Sequence, residues 1–402
     1  MASGASEALW VLLPTAQQRS GAWIDDTLKA RVRERGLEGQ WPLAGQFPRQ
    51  RVEVVRDADP YSAVNDRFYR RGWTDGLPIV PPTVGRVEEM LTASELSPET
   101  VLAELEPLQG VATVEKVAVN AVMAGCRPEH LPIVLAAVQA IADPAFNLRG
   151  VQTTDENVAP LLIVNGPAAR TLALNSSFGA LGPGWQANAT IGRALRLVMQ
   201  NLGGGWPAVV SFAGLGQPGR YTLCIAENDA QSPWPPLHVD LGHAPDSSTV
   251  TVLRAETVIN VTGGLPEIAS VIGSAASNFT ILHGGKVAVL LAPATARELA
   301  AKGWSKDDVR ESLHREGRLS TEVLKQSWLF TSAYAPAHWP EGLSETAATG
   351  RVPAVRQPED IIIVVAGGDI PIAQHAYCPS WGFPPCCVTR EIHMPAIRKQ
   401  RP

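Results

Sequence analysis

Cysteine is scarce in this chain, with five in 402 residues, too few for a disulfide framework. No apolar run approaches the ~18 residues that a membrane span needs. The first fourteen residues lack a positive segment, and Leu9–Leu13 is too short for the apolar core of a secretion signal. No basic run exceeds a few residues, and Arg-Lys-Gln-Arg at 398–401 is too short to hold a polyanion. Charged residues make up only 18%. These absences lead us to expect a reduced, soluble, cytoplasmic protein with no membrane and no nucleic-acid partner. A homo-oligomer is compatible with the sequence.

What is present is apolar material, 45% of the residues, enough for a well-buried sheet. Residues 1–58 read as a peripheral arm with one helix at 24–35 and a strand at 51–55. Residues 59–147 read as mainly helical. Asp59-Pro60 is a helix start and Thr83 caps a second helix. The stretch 112–124 has one apolar face, and 129–142 is apolar nearly all round. Residues 148–402 read as α/β, and 59–402 can form one unit. Strands are expected at 151–154, 161–164, 209–212, 221–226, 249–254, 286–292 and 361–365. Helices are expected at 186–202, 265–277 and 294–301, and after Ser305. The last two strands are apolar throughout, as when both faces are covered. The fold class is therefore α/β, a mixed and largely parallel sheet covered by helices. No repeat of fixed period is visible.

Three cysteines crowd the C-terminal region in His375-x2-Cys378-x7-Cys386-Cys387. Thiolate and imidazole are ligands for transition metals, so these four residues are a candidate metal set, although the spacing matches no zinc motif. A nucleophilic or redox thiol, with His375 as base or Arg390 lowering its pKa, is the second reading, and inert core cysteine is the third. The run Gly182-Pro-Gly184-Trp185-Gln-Ala-Asn188-Ala-Thr190-Ile-Gly-Arg193 leads into a helix. A helix start offers free N–H groups to an anion; Asn188, Thr190 and Arg193 add donors, and Arg196 lies a turn further in. Glu115, beside Lys116, and Glu227, at a strand exit, are candidate proton carriers. No Gly-x-Ser-x-Gly elbow and no His-Glu-x-x-His occurs.

Several strings in this chain are unusual. They are Thr74-Asp-Gly-Leu-Pro-Ile-Val-Pro-Pro-Thr83, Gly110 to Cys126, Gly182 to Arg193, Cys224-Ile-Ala-Glu-Asn228 and Gly303-Trp-Ser-Lys-Asp-Asp-Val309. Over residues 60–395 they resemble the bacterial UGSC family of (seleno)proteins, in its large shared domain. The selenocysteine-Gly-Ser-Cys motif that names the family has no match here. The resemblance implies a bacterial enzyme. Joined to the motifs, it leads us to expect a lyase or thiol-redox step on a small, anionic metabolite. A metalloenzyme built on His375 and the cysteines, and a non-catalytic subunit, are the alternatives.

Overall fold

The structure, a computed structural model, describes residues 7–15, 51–384 and 386–395. The helix expected at 24–35 lies outside them. At the N-terminal end, β1 (Glu7–Leu12) pairs antiparallel with β2 (Val52–Asp57). The Pro60–Arg70 helix follows, with Asp59 accepting from the Ser62 N–H as its cap. Thr83 caps the Val84–Leu91 helix in the same way. Next, β3 (Val101–Leu105) and β4 (Gly110–Thr113) form an antiparallel pair, and the Val114–Ala124 and Leu131–Ala142 helices pack behind them.

Ten further strands follow in chain order: β5 (Ala159–Asn165), β6 (Cys224–Ala226), β7 (Thr249–Ala255), β8 (Ile259–Thr262), β9 (Val287–Leu291), β10 (Arg318–Ser320), β11 (Arg351–Pro353), β12 (Ile361–Val365), β13 (Gln374–Cys378) and β14 (Val388–Glu391). Eight of these build two four-stranded sheets, ordered β6-β5-β7-β14 and β12-β9-β13-β8. Alternation along each strand sends successive side chains to opposite faces, and the contacts follow it. Leu161 and Ile163 of β5, Ala288 and Leu290 of β9 and Ile362 and Val364 of β12 share one core with Cys378, so the two sheets face each other. Leu162 and Val164 turn outward onto the N-terminal helices. Val287, Val289 and Leu291 turn outward onto the helices of the last third. The layers run helix, sheet, sheet, helix. The α/β class holds. Each sheet contains one parallel pair, β5–β6 and β9–β12, and its other pairings are antiparallel. The continuous apolar strands are covered by helices on one face and by the other sheet on the second.

The two sheets share one plan. A rung of the first reads Ile225–Ile163–Thr251–Thr389, and one of the second reads Val364–Leu290–Ala376–Asn260. The series β5, β6, β7, β8 thus recurs as β9, β12, β13, β14, with the fourth strand of each series crossed into the other's sheet. The two series meet at an antiparallel bridge between Ala255 and Ser380. There the Glu256 N–H donates to Pro379 O at 3.0 Å and the Trp381 N–H to Arg254 O at 3.3 Å. Even an ion pair is duplicated. Arg170, in the helix after β5, meets Asp229 at 2.5 Å, and Arg297, in the helix after β9, meets Asp369 at 2.6 Å. The repeat has no fixed period because the insertions between strands differ in length.

Some expected strands are absent. Residues 148–153 are helical, because Asn147 takes a left-handed φ of 53° and its side chain caps Gly150. Residues 209–212 form turns on the Trp206 carbonyl, which accepts from the Val210 and Ser211 N–H groups. The helix expected over 265–277 ends at Ile272, where Gly273 packs against the Arg318 backbone with no room for a Cβ.

Candidate functional site

The C-terminal motif is split by β13. His375 and Cys378 are three apart on a strand, so their side chains leave opposite faces. The His375 ring is buried. Its Nδ1 accepts from the Ala292 N–H at 3.0 Å and its Nε2 reaches Gly263 O at 3.0 Å, which uses both nitrogens. Burial lowers its pKa. Cys378 lies in the core between the sheets, where burial pushes the thiol up to about 12. Cys386 Sγ donates to Ala145 O at 2.8 Å, 3.8 Å from the Arg254 guanidinium. Burial raises its pKa against the pull of Arg254. Cys387 packs at the edge of the inter-sheet core and is also raised by burial. Arg390 pairs with Asp143 at 2.5 Å. Among the described residues no three His, Cys, Asp or Glu side chains are placed to hold a metal ion. The four expected ligands are therefore not brought together.

Glu115 is bound through Oε2 to Arg51 Nε at 2.8 Å. Its neighbour Lys116 donates to Leu13 O at 2.6 Å, and burial lowers its pKa to about 8. Lys116 thus ties the exit of β1, and Glu115 the entry of β2, to the helix. Glu227 is buried at the exit of β6. It accepts from Asn165 Nδ2 at 2.6 Å, Leu237 N–H at 2.7 Å and Val365 N–H at 3.4 Å, with Lys306 Nζ at 3.9 Å. Burial raises its pKa, and the Lys306 charge and these donors oppose that rise. The matching position after β12 is Ala366, which leaves a cavity of about 240 Å³ lined by Phe178, Gly182, Gly367 and His375. The glycine-rich loop and the His375 strand do share this space, but no thiol does.

At the start of the Gln186–Asn201 helix the expected side-chain donors are engaged by the protein itself. Asn188 is buried and ties Asn175 O at 2.9 Å and Cys224 O at 3.1 Å. The Thr190 hydroxyl donates to Gln186 O at 2.8 Å. Arg193 forks onto Asp75 at 2.7 and 2.8 Å and reaches Pro78 O at 2.9 Å. Gly184 and Trp185 are exposed.

Further along this helix a different site appears. Gln200 donates to Gly72 O at 2.9 Å and Thr74 O at 2.8 Å, and Asn201 to Trp73 O at 2.9 Å. These bonds, with the Arg193–Asp75 fork, fasten the Gly72–Gly76 loop alongside the helix. Between that loop, the helix and residues 213–221 lies a cavity of about 550 Å³. Arg196 and Arg220 line it. Arg196 Nη2 donates to Gly205 O at 2.9 Å and Arg220 Nη2 to Ser211 Oγ at 3.0 Å. Neither forms an ion pair among the described residues. Burial and the neighbouring Arg220 charge push Arg196 down to about 10 against the pull of Asp75, and burial lowers Arg220 as well. Guanidinium stays charged in proteins and offers five donors. Two such groups, partly desolvated and lining one cavity, are unfavourable without a compensating anion. Arg196 was legible as a basic residue one turn beyond Arg193. Arg220, in a Pro-Gly-rich turn, carries no local signal.

Compared with known proteins, the chain matches no family model, no curated protein and no solved structure.

Proposed function

We propose that the protein acts on a small anionic metabolite, which it holds on Arg196 and Arg220. One observation carries this reading: two guanidiniums line one cavity of about 550 Å³ with no ion-pair partner of their own among the described residues, the carboxylate of the wall, Asp75, being forked by Arg193. That volume lies within the usual range for small-molecule sites. The resemblance to a bacterial enzyme family is consistent with it. A thiol-based lyase or redox step has less support, because every cysteine is held above its ordinary pKa by burial.

Calorimetric titration with inorganic phosphate tests the reading. The native protein should bind it, and Arg196→Gln and Arg220→Gln should each weaken binding about tenfold or more, the worth of a charge-assisted bond. Each variant should also raise the melting temperature of the ligand-free protein, because an unneutralised charge is removed. Unchanged phosphate affinity in both variants would refute the proposal.

A further inference from the structure

We infer that the ligand of the Arg196–Arg220 cavity has a dianionic head on an apolar body, and that Leu215, Tyr69 and Tyr221 seat that body. This rests on the anion reading above and adds the ligand's class. The charge follows from the lining. Asp75 is the acidic group of the wall, and Arg193 already neutralises it. Arg196 and Arg220 remain, two positive charges that a dianion cancels. The apolar body follows from the rim. Leu215 lines the cavity and is 96% exposed; Tyr69 and Tyr221 line it at 59% and 49%. Large apolar side chains left in water on one rim mark a contact surface.

The exposure of Leu215 is built in. Gly214 N–H donates to Asp155 O at 2.9 Å and Gly216 N–H to Asn157 Oδ1 at 2.7 Å. The Gln217 carboxamide then donates to Asn157 O at 2.6 Å and Ala255 O at 3.1 Å. The backbone is pinned on both sides of Leu215, so the side chain is presented at the mouth while the guanidiniums sit deeper. A phosphate monoester of an aromatic or aliphatic alcohol, or a dicarboxylate with an apolar arm, fits this order of charge and oil.

Phenyl phosphate, inorganic phosphate and benzoate, titrated at pH 8 into the native protein and Leu215→Ser, test the inference. Phenyl phosphate should bind the native protein about tenfold more tightly than either other probe. Leu215→Ser should weaken phenyl phosphate roughly fivefold and leave inorganic phosphate unchanged; the exposed position makes the variant safe for folding. Equal affinity for phenyl phosphate and phosphate, or no effect of Leu215→Ser, overturns the apolar seat. Benzoate binding as tightly as phenyl phosphate overturns the dianionic head. Failure of both phosphates to bind overturns the anion reading beneath them.

Discussion

Arg193 and Arg196 stand three apart on one helix and have opposite fates. Arg193 spends its fork on Asp75 and on loop carbonyls, and so holds a wall. Among the described residues Arg196 has one hydrogen-bond partner, Gly205 O, and lines the cavity. Neighbouring groups, rather than residue type, decide which arginine is available. Glu256 makes a similar point for carboxylates. It sits where the two strand series meet, its Oε1 is buried with no hydrogen-bond partner among the described residues, and burial followed by the Glu156 charge raises its pKa to about 8. A carboxyl raised in the folded state favours folding below its unfolded pKa and loses that advantage as pH rises through the folded value. We expect the Glu256 contribution to native stability to fall between about pH 4.5 and pH 8. Glu256→Gln should remove that slope and be more stable at pH 9 by an amount on the order of 2 kcal/mol. Urea titrations across that range check this; parallel pH profiles for the two proteins would contradict it.

At the scale of elements, β13 changes the meaning of the C-terminal motif. What reads in sequence as one set of soft ligands is divided: His375 and Cys378 lie on a strand paired on both edges and diverge. Cys386 lies beyond it in a turn that Arg254 organises. The Arg254 side chain is buried and donates to Phe383 O at 2.5 Å and Cys386 O at 3.2 Å, and also to Pro384 O. Arg254→Met would remove the guanidinium from all three carbonyls, leaving Phe383 O with Asn147 Nδ2 and Pro384 O with the Cys386 N–H, and should cost roughly 3 kcal/mol. It should also speed alkylation of Cys386 by iodoacetamide, followed by mass spectrometry of the native fold. An unchanged labelling rate would mean that Arg254 does not hold this turn closed.

For the whole molecule, the exchanged edge strands tie the halves together. β8 completes the sheet of β9, β12 and β13, and β14 completes that of β5, β6 and β7. Neither series can leave without opening the other's edge. Leu290→Ala, in the core between the sheets, should therefore lower one cooperative unfolding transition by about 2–5 kcal/mol. Tryptophan fluorescence and far-ultraviolet circular dichroism should give coincident curves; two separate transitions would rule out this coupling.

Local rules were enough for much of this protein. Asp59 and Thr83 announce their helices, Gly125 closes one in a left-handed cap, and apolar runs mark β9 and β12, because caps and burial act over a few residues. Short strands such as β8, β13 and β14 were invisible, since their stability comes from partners far along the chain. The strand duplication was hidden because insertions of unequal length separate matching strands. The cavity was decided by tertiary structure alone. It depends on which of two arginines finds a carboxylate and on a turn that brings Arg220 beside the helix, and charge neutralisation across such distances leaves no local mark in sequence.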